Sequence, residues 1–246
     1  MIRTIILTLV FLTAPAAHAG CNDAPAPGVN WSGCDKPGVD LSAQNLHGAI
    51  FAKANLQSAN FSHAKLANAD FGLANISQAT FQHAAMKDAR MVSVIAEHTD
   101  FSDAILENVS FSRARLMQAN FTRAKLTDSK FYEANAEAAN FTAAVLDAAS
   151  FERTILRKAR FDDATAERAV FKLSVFESAT LINSKFLRCA FDKSDLTAAN
   201  FSKADLTKSS FREAVIDDAI FTGAILRDVS WVDFTRCRTD AVSVCN

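Results

Sequence analysis

Proline and glycine are scarce in this chain: four and seven residues out of 246, with no proline after Pro37. Beyond residue 38 only Gly48, Gly72 and Gly223 occur. No insertion interrupts the regular pattern of this stretch either, so no loop is available to form a pocket or a lid. Tyrosine occurs once, as Tyr132, which provides no series of aromatic platforms for stacking bases. Neither sign of charge dominates. The 26 basic residues, including Arg3 near the start, and 27 acidic residues mix along the chain, leaving net −2 once Arg3 is set aside. Without a basic stripe, nucleic acid is not an expected partner. No apolar stretch is long enough to cross a bilayer as a helix. No Ser/His/Asp set, Gly-rich phosphate loop or paired Cys motif is present, and neither an enzyme nor a cofactor is expected.

What the chain does have is a beat. From Leu41 to Trp231 every fifth residue is apolar, without a slip, over 39 units. Positions five apart drift by about 140° on an α-helix, so they cannot share a face. On a straight strand they fall on opposite faces. A second column resolves this: two residues before each centre sits a small residue, which is Ala in 26 of the 39 units. Positions −2 and 0 then point inward across a three-residue strand, and the polar remainder turns a corner. Each unit becomes one side of a polygon wound around an apolar axis.

The centres also bear on the number of sides. They mostly alternate Phe with something smaller, which calls for an even number of units per turn. Four sides at about 4.8 Å rise would stack residues 20 apart. One column then holds Phe51, Phe71, Met91, Phe111, Phe131, Phe151, Phe171, Phe191, Phe211 and Trp231. The opposite column holds Phe61, Phe81, Phe101, Phe121, Phe141, Phe161, Leu181, Phe201 and Phe221. Leu181 stands where Phe is due, and both neighbouring centres, Phe176 and Phe186, are Phe where Leu is usual. Core volume is thereby kept within that coil. Met91 to Thr99, with Ala96 at a centre, and the small centres Ala136 and Ala166 are the expected soft spots.

The units ANLQS (54–58), ANFSH (59–63), AKLAN (64–68) and ADLTK (204–208) resemble the A-(D/N)-(L/F)-x-x repeat of the pentapeptide-repeat family over about four-fifths of the chain. The resemblance implies an all-β fold, a right-handed quadrilateral β-helix with four units per coil. Nearly ten coils make a rod roughly 45–50 Å long. Some members of that family mimic DNA and bind gyrase, a topoisomerase. Those are far more acidic and are cytoplasmic, so this role is the alternative expectation.

The ends read differently from the rod. Residues 1–19 combine Arg3, the apolar run Ile5 to Leu12 and the small-x-small site Ala17-His18-Ala19, which reads as a signal peptide. Residues 20–40 read as an N-terminal cap, an imperfect coil with Trp31 over Phe51; residues 232–246 read as a C-terminal cap. Export makes disulfides the expectation, paired Cys21–Cys34 and Cys237–Cys245 within the two caps. Cys189 falls at an inward position and reads as a buried small hydrophobe. Lipidation of Cys21, which follows Ala19-Gly20, is the alternative, and it leaves Cys34 unpaired.

Two surface features are candidates for function. Beside the Phe61 column lie Ser42, Ser62, Gln82, Ser102, Thr122, Thr142, Asp162, Ile182, Ser202 and Thr222, with Asn60, Asp100, Asn120, Asn140 and Asn200 before the centres. This face could bind a glycan, although Asn and Ser at these positions also serve corner turns. His63, His83 and Asp103 stack one coil apart on the same side and are the only candidate metal ligands, with Arg123 next in the column. The expected function is an exported, periplasmic or secreted, non-enzymatic scaffold of the bacterial envelope. Its expected partner is an envelope protein or polysaccharide, with end-to-end pairing into a homodimer also in view.

Overall fold

The computed structural model describes residues 20–245, so the expected signal peptide lies outside the described residues. The five-residue beat is a square coil. Parallel backbone bridges join each residue before a centre to the one 20 residues on, from Asn30↔Ile50 through Ser210↔Ser230. Four units therefore make one turn. The sides are named here by their centres: side A carries Phe51 to Trp231, side B Leu56 to Ile216, side C Phe61 to Phe221 and side D Leu66 to Leu226.

Each corner is a tight turn of one kind. At His63 the backbone is left-handed (φ 60°), and Ala64 N–H donates to Phe61 C=O at 3.0 Å. A positive φ at the second central residue alone is the mark of a type II turn. The same sign recurs at every fifth residue from Gly28 to Asp228. Most of these positions are not glycine, so each corner carries a backbone cost of about 1 kcal/mol that the coil must offset.

The ladder between coils has a direction. Phe61 and His63 donate their N–H groups onward to Thr80 and Gln82 C=O (2.7 and 2.8 Å), and Thr80 N–H donates back to Ala59 C=O (3.0 Å). The C-terminal end of any coil thus exposes N–H at the centre and two residues later, and C=O two residues before.

The interior follows the two columns. Phe61 and Phe81 stack at 4.6 Å between ring centroids, Phe121 and Phe141 at 4.8 Å, and Phe131 and Phe151 at 4.4 Å. Between columns the rings meet edge to face, as at Phe51–Phe61 (5.7 Å, 75°). Both geometries suit the aromatic quadrupole. Around Leu181, Phe176 and Phe186 fill the space, lying 5.7 and 6.1 Å from Phe161. Ala96, Val94 and Thr99 are fully buried, and Thr99 Oγ1 donates to Ile76 C=O at 2.8 Å.

Two short parallel strands, β1 (Thr165–Glu167) and β2 (Lys185–Leu187), pair on side D. There Cys189 N–H donates to Ser209 Oγ (2.9 Å), and Phe186 C=O accepts the Ser209 hydroxyl (2.7 Å) in place of a turn bond. Cys189 is buried and free, and burial pushes its thiol up to about 12, which makes it unreactive.

Both expected cap disulfides are present, Cys21–Cys34 and Cys237–Cys245. Coil geometry begins earlier than residue 41. Bridges start at Asn30, and Trp31 packs edge-on against Phe51 at 5.8 Å. Lys36 breaks the apolar beat because its ammonium lies over the Trp31 ring, 4.3 Å from the centroid.

Candidate functional site

His63, His83, Asp103 and Arg123 form one exposed column at the corner after side C, at positions where the backbone is left-handed. The imidazoles of His63 and His83 stack at 4.9 Å, within 14° of parallel. Lone pairs lie in the ring planes, so two near-parallel rings at this separation cannot meet on one ion at about 2 Å. Asp103 is instead engaged by the next residue in the column. Arg123 donates to it twice, Nε to Oδ1 at 2.8 Å and Nη2 to Oδ2 at 2.6 Å. The Arg123 hydrogen bonds hold the Asp103 carboxyl below its ordinary range. The three expected metal ligands therefore do not form a ligand set, and no cluster of three His, Cys, Asp or Glu among the described residues could hold a metal.

The hydroxyl-and-amide face is present, and its groups serve the corners. Asn60, Asn120, Asn140 and Asn200 Oδ1 accept the N–H of Ser62, Thr122, Thr142 and Ser202 at 2.9–3.1 Å. The hydroxyls of Thr122, Thr142 and Ser202 donate to the same oxygens at 2.6 Å. Amide groups also bind up the column, as in Asn120 Nδ2 to Asp100 Oδ1 (2.9 Å). Side C is thus a regular surface whose polar atoms are largely engaged within the rod.

Charges of opposite sign pair between adjacent coils, as in Arg113–Glu133 and Arg157–Glu177. A shallow open groove of about 570 Å³ runs along the corner after side D, where Ala148 and Ser150 are small beside Asp88, Asp128 and Lys130. It is a trough on a convex surface and encloses nothing.

The C-terminal end carries an apolar surface that the repeat pattern does not announce. Val215, Ile220, Ile225, Phe234, Val242 and Val244 are all exposed there, whereas along the rest of the described rod only Leu73 and Leu173 are large, apolar and exposed. Ile225 and Val242 face each other across an antiparallel bridge, and Ser230 faces Arg236 in another. The signal available in the sequence was apolar residues at outward positions, where Asn, Asp or Lys is usual.

A parallel, four-sided coil wound around an apolar bore defines a β-solenoid repeat protein. The pentapeptide repeat region family matches residues 44–121 and 71–141, and pentapeptide repeats (8 copies) match 134–172, 174–212 and 189–228. The chain belongs to the pentapeptide-repeat family, and its fold is the right-handed quadrilateral β-helix. Among solved structures it is similar to HetL, a pentapeptide repeat protein involved in heterocyst differentiation regulation from Nostoc sp. strain PCC 7120. That match has a TM-score of 0.64 and 19% identity, covering 84% of this chain and 93% of that one. The plasmid-mediated fluoroquinolone resistance protein QnrB1 matches with a TM-score of 0.40 and 17% identity, over 75% of this chain and 92% of that one. A pentapeptide repeat protein from the Arabidopsis thaliana thylakoid lumen matches with a TM-score of 0.31 and 28% identity, over 51% and 70%. No curated protein matches the sequence.

Proposed function

We propose that this chain is an exported, non-enzymatic binding rod of the bacterial envelope, offering its sides to a protein or polysaccharide partner. The observation that carries the reading is the pair of cap disulfides, Cys21–Cys34 and Cys237–Cys245, one at each end of the rod. Such bonds persist in oxidising compartments and are rare in the cytosol. The leader-like residues 1–19 point the same way. The mixed, ion-paired surface supports a protein or glycan partner over a role as a polyanion mimic, which needs a field of one sign.

Crosslinking in intact cells, followed by envelope fractionation and mass spectrometry, tests this. A chain starting at Gly20, two hydrogens lighter per disulfide and bound to a specific envelope component, is the expected result. A chain starting at Met1 and captured with cytoplasmic DNA enzymes would overturn it and leave the topoisomerase-binding role standing. An added lipid mass on Cys21 would replace the Cys21–Cys34 bond, since one sulfur cannot make both.

A further inference from the structure

The C-terminal cap covers half of the rod end. After Trp231 the chain reverses and lies antiparallel over two sides only. On side A, Trp231 N–H donates to Thr235 C=O (2.8 Å) and Cys237 N–H to Val229 C=O (2.9 Å). On side D, Leu226 N–H donates to Ala241 C=O and Ser243 N–H to Ala224 C=O, both at 2.9 Å. Sides B and C stay open. There Ile216 N–H, Ala214 C=O, Phe221 N–H and Ala219 C=O have no partner among the described residues, and Ile216 and Ala219 are only partly buried. The residues just before those two centres, Val215 and Ile220, are 47% and 44% exposed.

The cap has an open edge of its own. Backbone groups alternate in direction along a strand. With residues 235, 237, 241 and 243 bonded to the rod, the N–H and C=O of Arg236 and Val242 point away from it, and they too are without partners.

We propose that the two edges pair between two copies of this chain. Place a two-fold axis across the rod, through the corner between sides A and B and the corner between C and D. It carries side A onto B and side D onto C. The cap of each copy then lies over the open half of the other, and two half-coils complete one shared coil. The directions agree. The cap strand runs antiparallel to its own coil, and the axis reverses the winding of the second copy, so the cap strand runs parallel to the side it newly covers. Val242 takes the place above Ile220 of the second copy that Thr80 takes above Asn60 in the rod. Phe221 N–H of the second copy donates to Val242 C=O, and Val242 N–H donates to Ala219 C=O of the second copy. Arg236 does the same with Ile216 and Ala214.

The helical pitch agrees as well. Sides B, C, D and A end at successively higher quarter-steps, and the cap lies one layer above D and A. A single separation of the two rods sets both new pairings one layer apart. An edge of unsatisfied backbone groups beside exposed β-branched residues is a strand-pairing surface. Here the second copy is the occupant whose own edge has the same half-coil shape. The Val232–Phe234 reversal lies at the axis corner, which places Phe234 (64% exposed) opposite its counterpart.

Light scattering on the chain from Gly20 onward, with both disulfides intact, is expected to give twice the monomer mass at high concentration and a dissociating pair on dilution. The double variant Val215→Lys, Ile220→Lys changes two outward, half-exposed side chains and is expected to be monomeric with an unchanged circular dichroism spectrum. Hydrogen exchange on the unmutated protein supplies an independent reading. The amides of Ile216, Phe221, Arg236 and Val242 should slow together as concentration rises. A monomer at every concentration, a pair that survives both lysines, or exchange at these four amides that ignores concentration would each overturn the proposal.

Discussion

The two ends of the rod solve one problem in different ways. Any coil stack terminates in unpaired backbone and a layer of apolar side chains. At the N-terminal end the closure centres on Trp31, and the backbone N–H and C=O of Asp35 and Asp40 on the next two sides have no partner among the described residues. Trp31 is 1% exposed, Lys36 covers its ring, Cys21–Cys34 ties the leading segment down, and glycines occupy the left-handed positions 28, 33 and 38. At the C-terminal end a disulfide closes a hairpin over two sides and leaves two uncovered. A repeat array needs only one kind of side, but its ends must be written individually. Whatever distinguishes this rod from another of equal length is therefore concentrated where the repeat stops.

The largest expected effect erases the comparison by destroying what joins the ends. Phe121→Asp removes a ring stacked on both neighbours in its column, about 3–5 kcal/mol for the lost side chain, and buries a carboxylate with no partner. The variant should lose its β circular dichroism; a soluble variant with an unchanged spectrum would refute the core assignment.

Next come the cap disulfides, which separate the two ends. Cys34→Ser and Cys245→Ser each open a short loop and should each lower stability by about 2–3 kcal/mol in denaturant melts. Only Cys245→Ser should also weaken self-association. Thiol titration of the denatured, unreduced protein should find Cys189 alone, and three or five thiols would dismiss the pairing.

Smaller is the backbone term. Gly33 has φ +68° and open space around an added Cβ, so Gly33→Ala should cost about 1 kcal/mol through the backbone alone. Leu173→Gly, at φ 58° in the rod, should shift stability less and in the opposite direction, because glycine also frees the unfolded chain.

The smallest effect concerns the exposed Asp103–Arg123 pair, which belongs to neither end. The folded state holds the Asp103 carboxyl below its ordinary value, so its contribution is present above the unfolded value and lost as pH falls through the lowered one. Thermal melts of Asp103→Asn should fall slightly below the unmutated protein at neutral pH and converge with it in acid or high salt.

Much of this structure was legible because the period is set by residue size in a single layer. The Phe columns, the compensation around Leu181 and the inward Cys189 all follow from which volumes share a coil. The start of the coil was less legible. Lys36 breaks the apolar pattern, and only its position over Trp31 explains why the side forms regardless. The His63, His83 and Asp103 column was found, but its ring orientations and the turn of Asp103 toward Arg123 are side-chain choices that spacing does not encode. The half-covered end was illegible for a topological reason. Ile225 and Val242 meet antiparallel after a reversal, and 17 positions match no period in the chain.

The corners make the rod an indexing device. Each unit advances the chain a quarter turn, and each twenty residues restore the starting azimuth. A segment of twenty removed from the middle would shorten the rod by one layer and leave both ends facing as before. A segment of five would swing the C-terminal step by 90° relative to the N-terminal cap, as a gear slips one tooth. Length and relative heading are thus separate settings in such a chain: the first counts whole coils, the second counts what is left over.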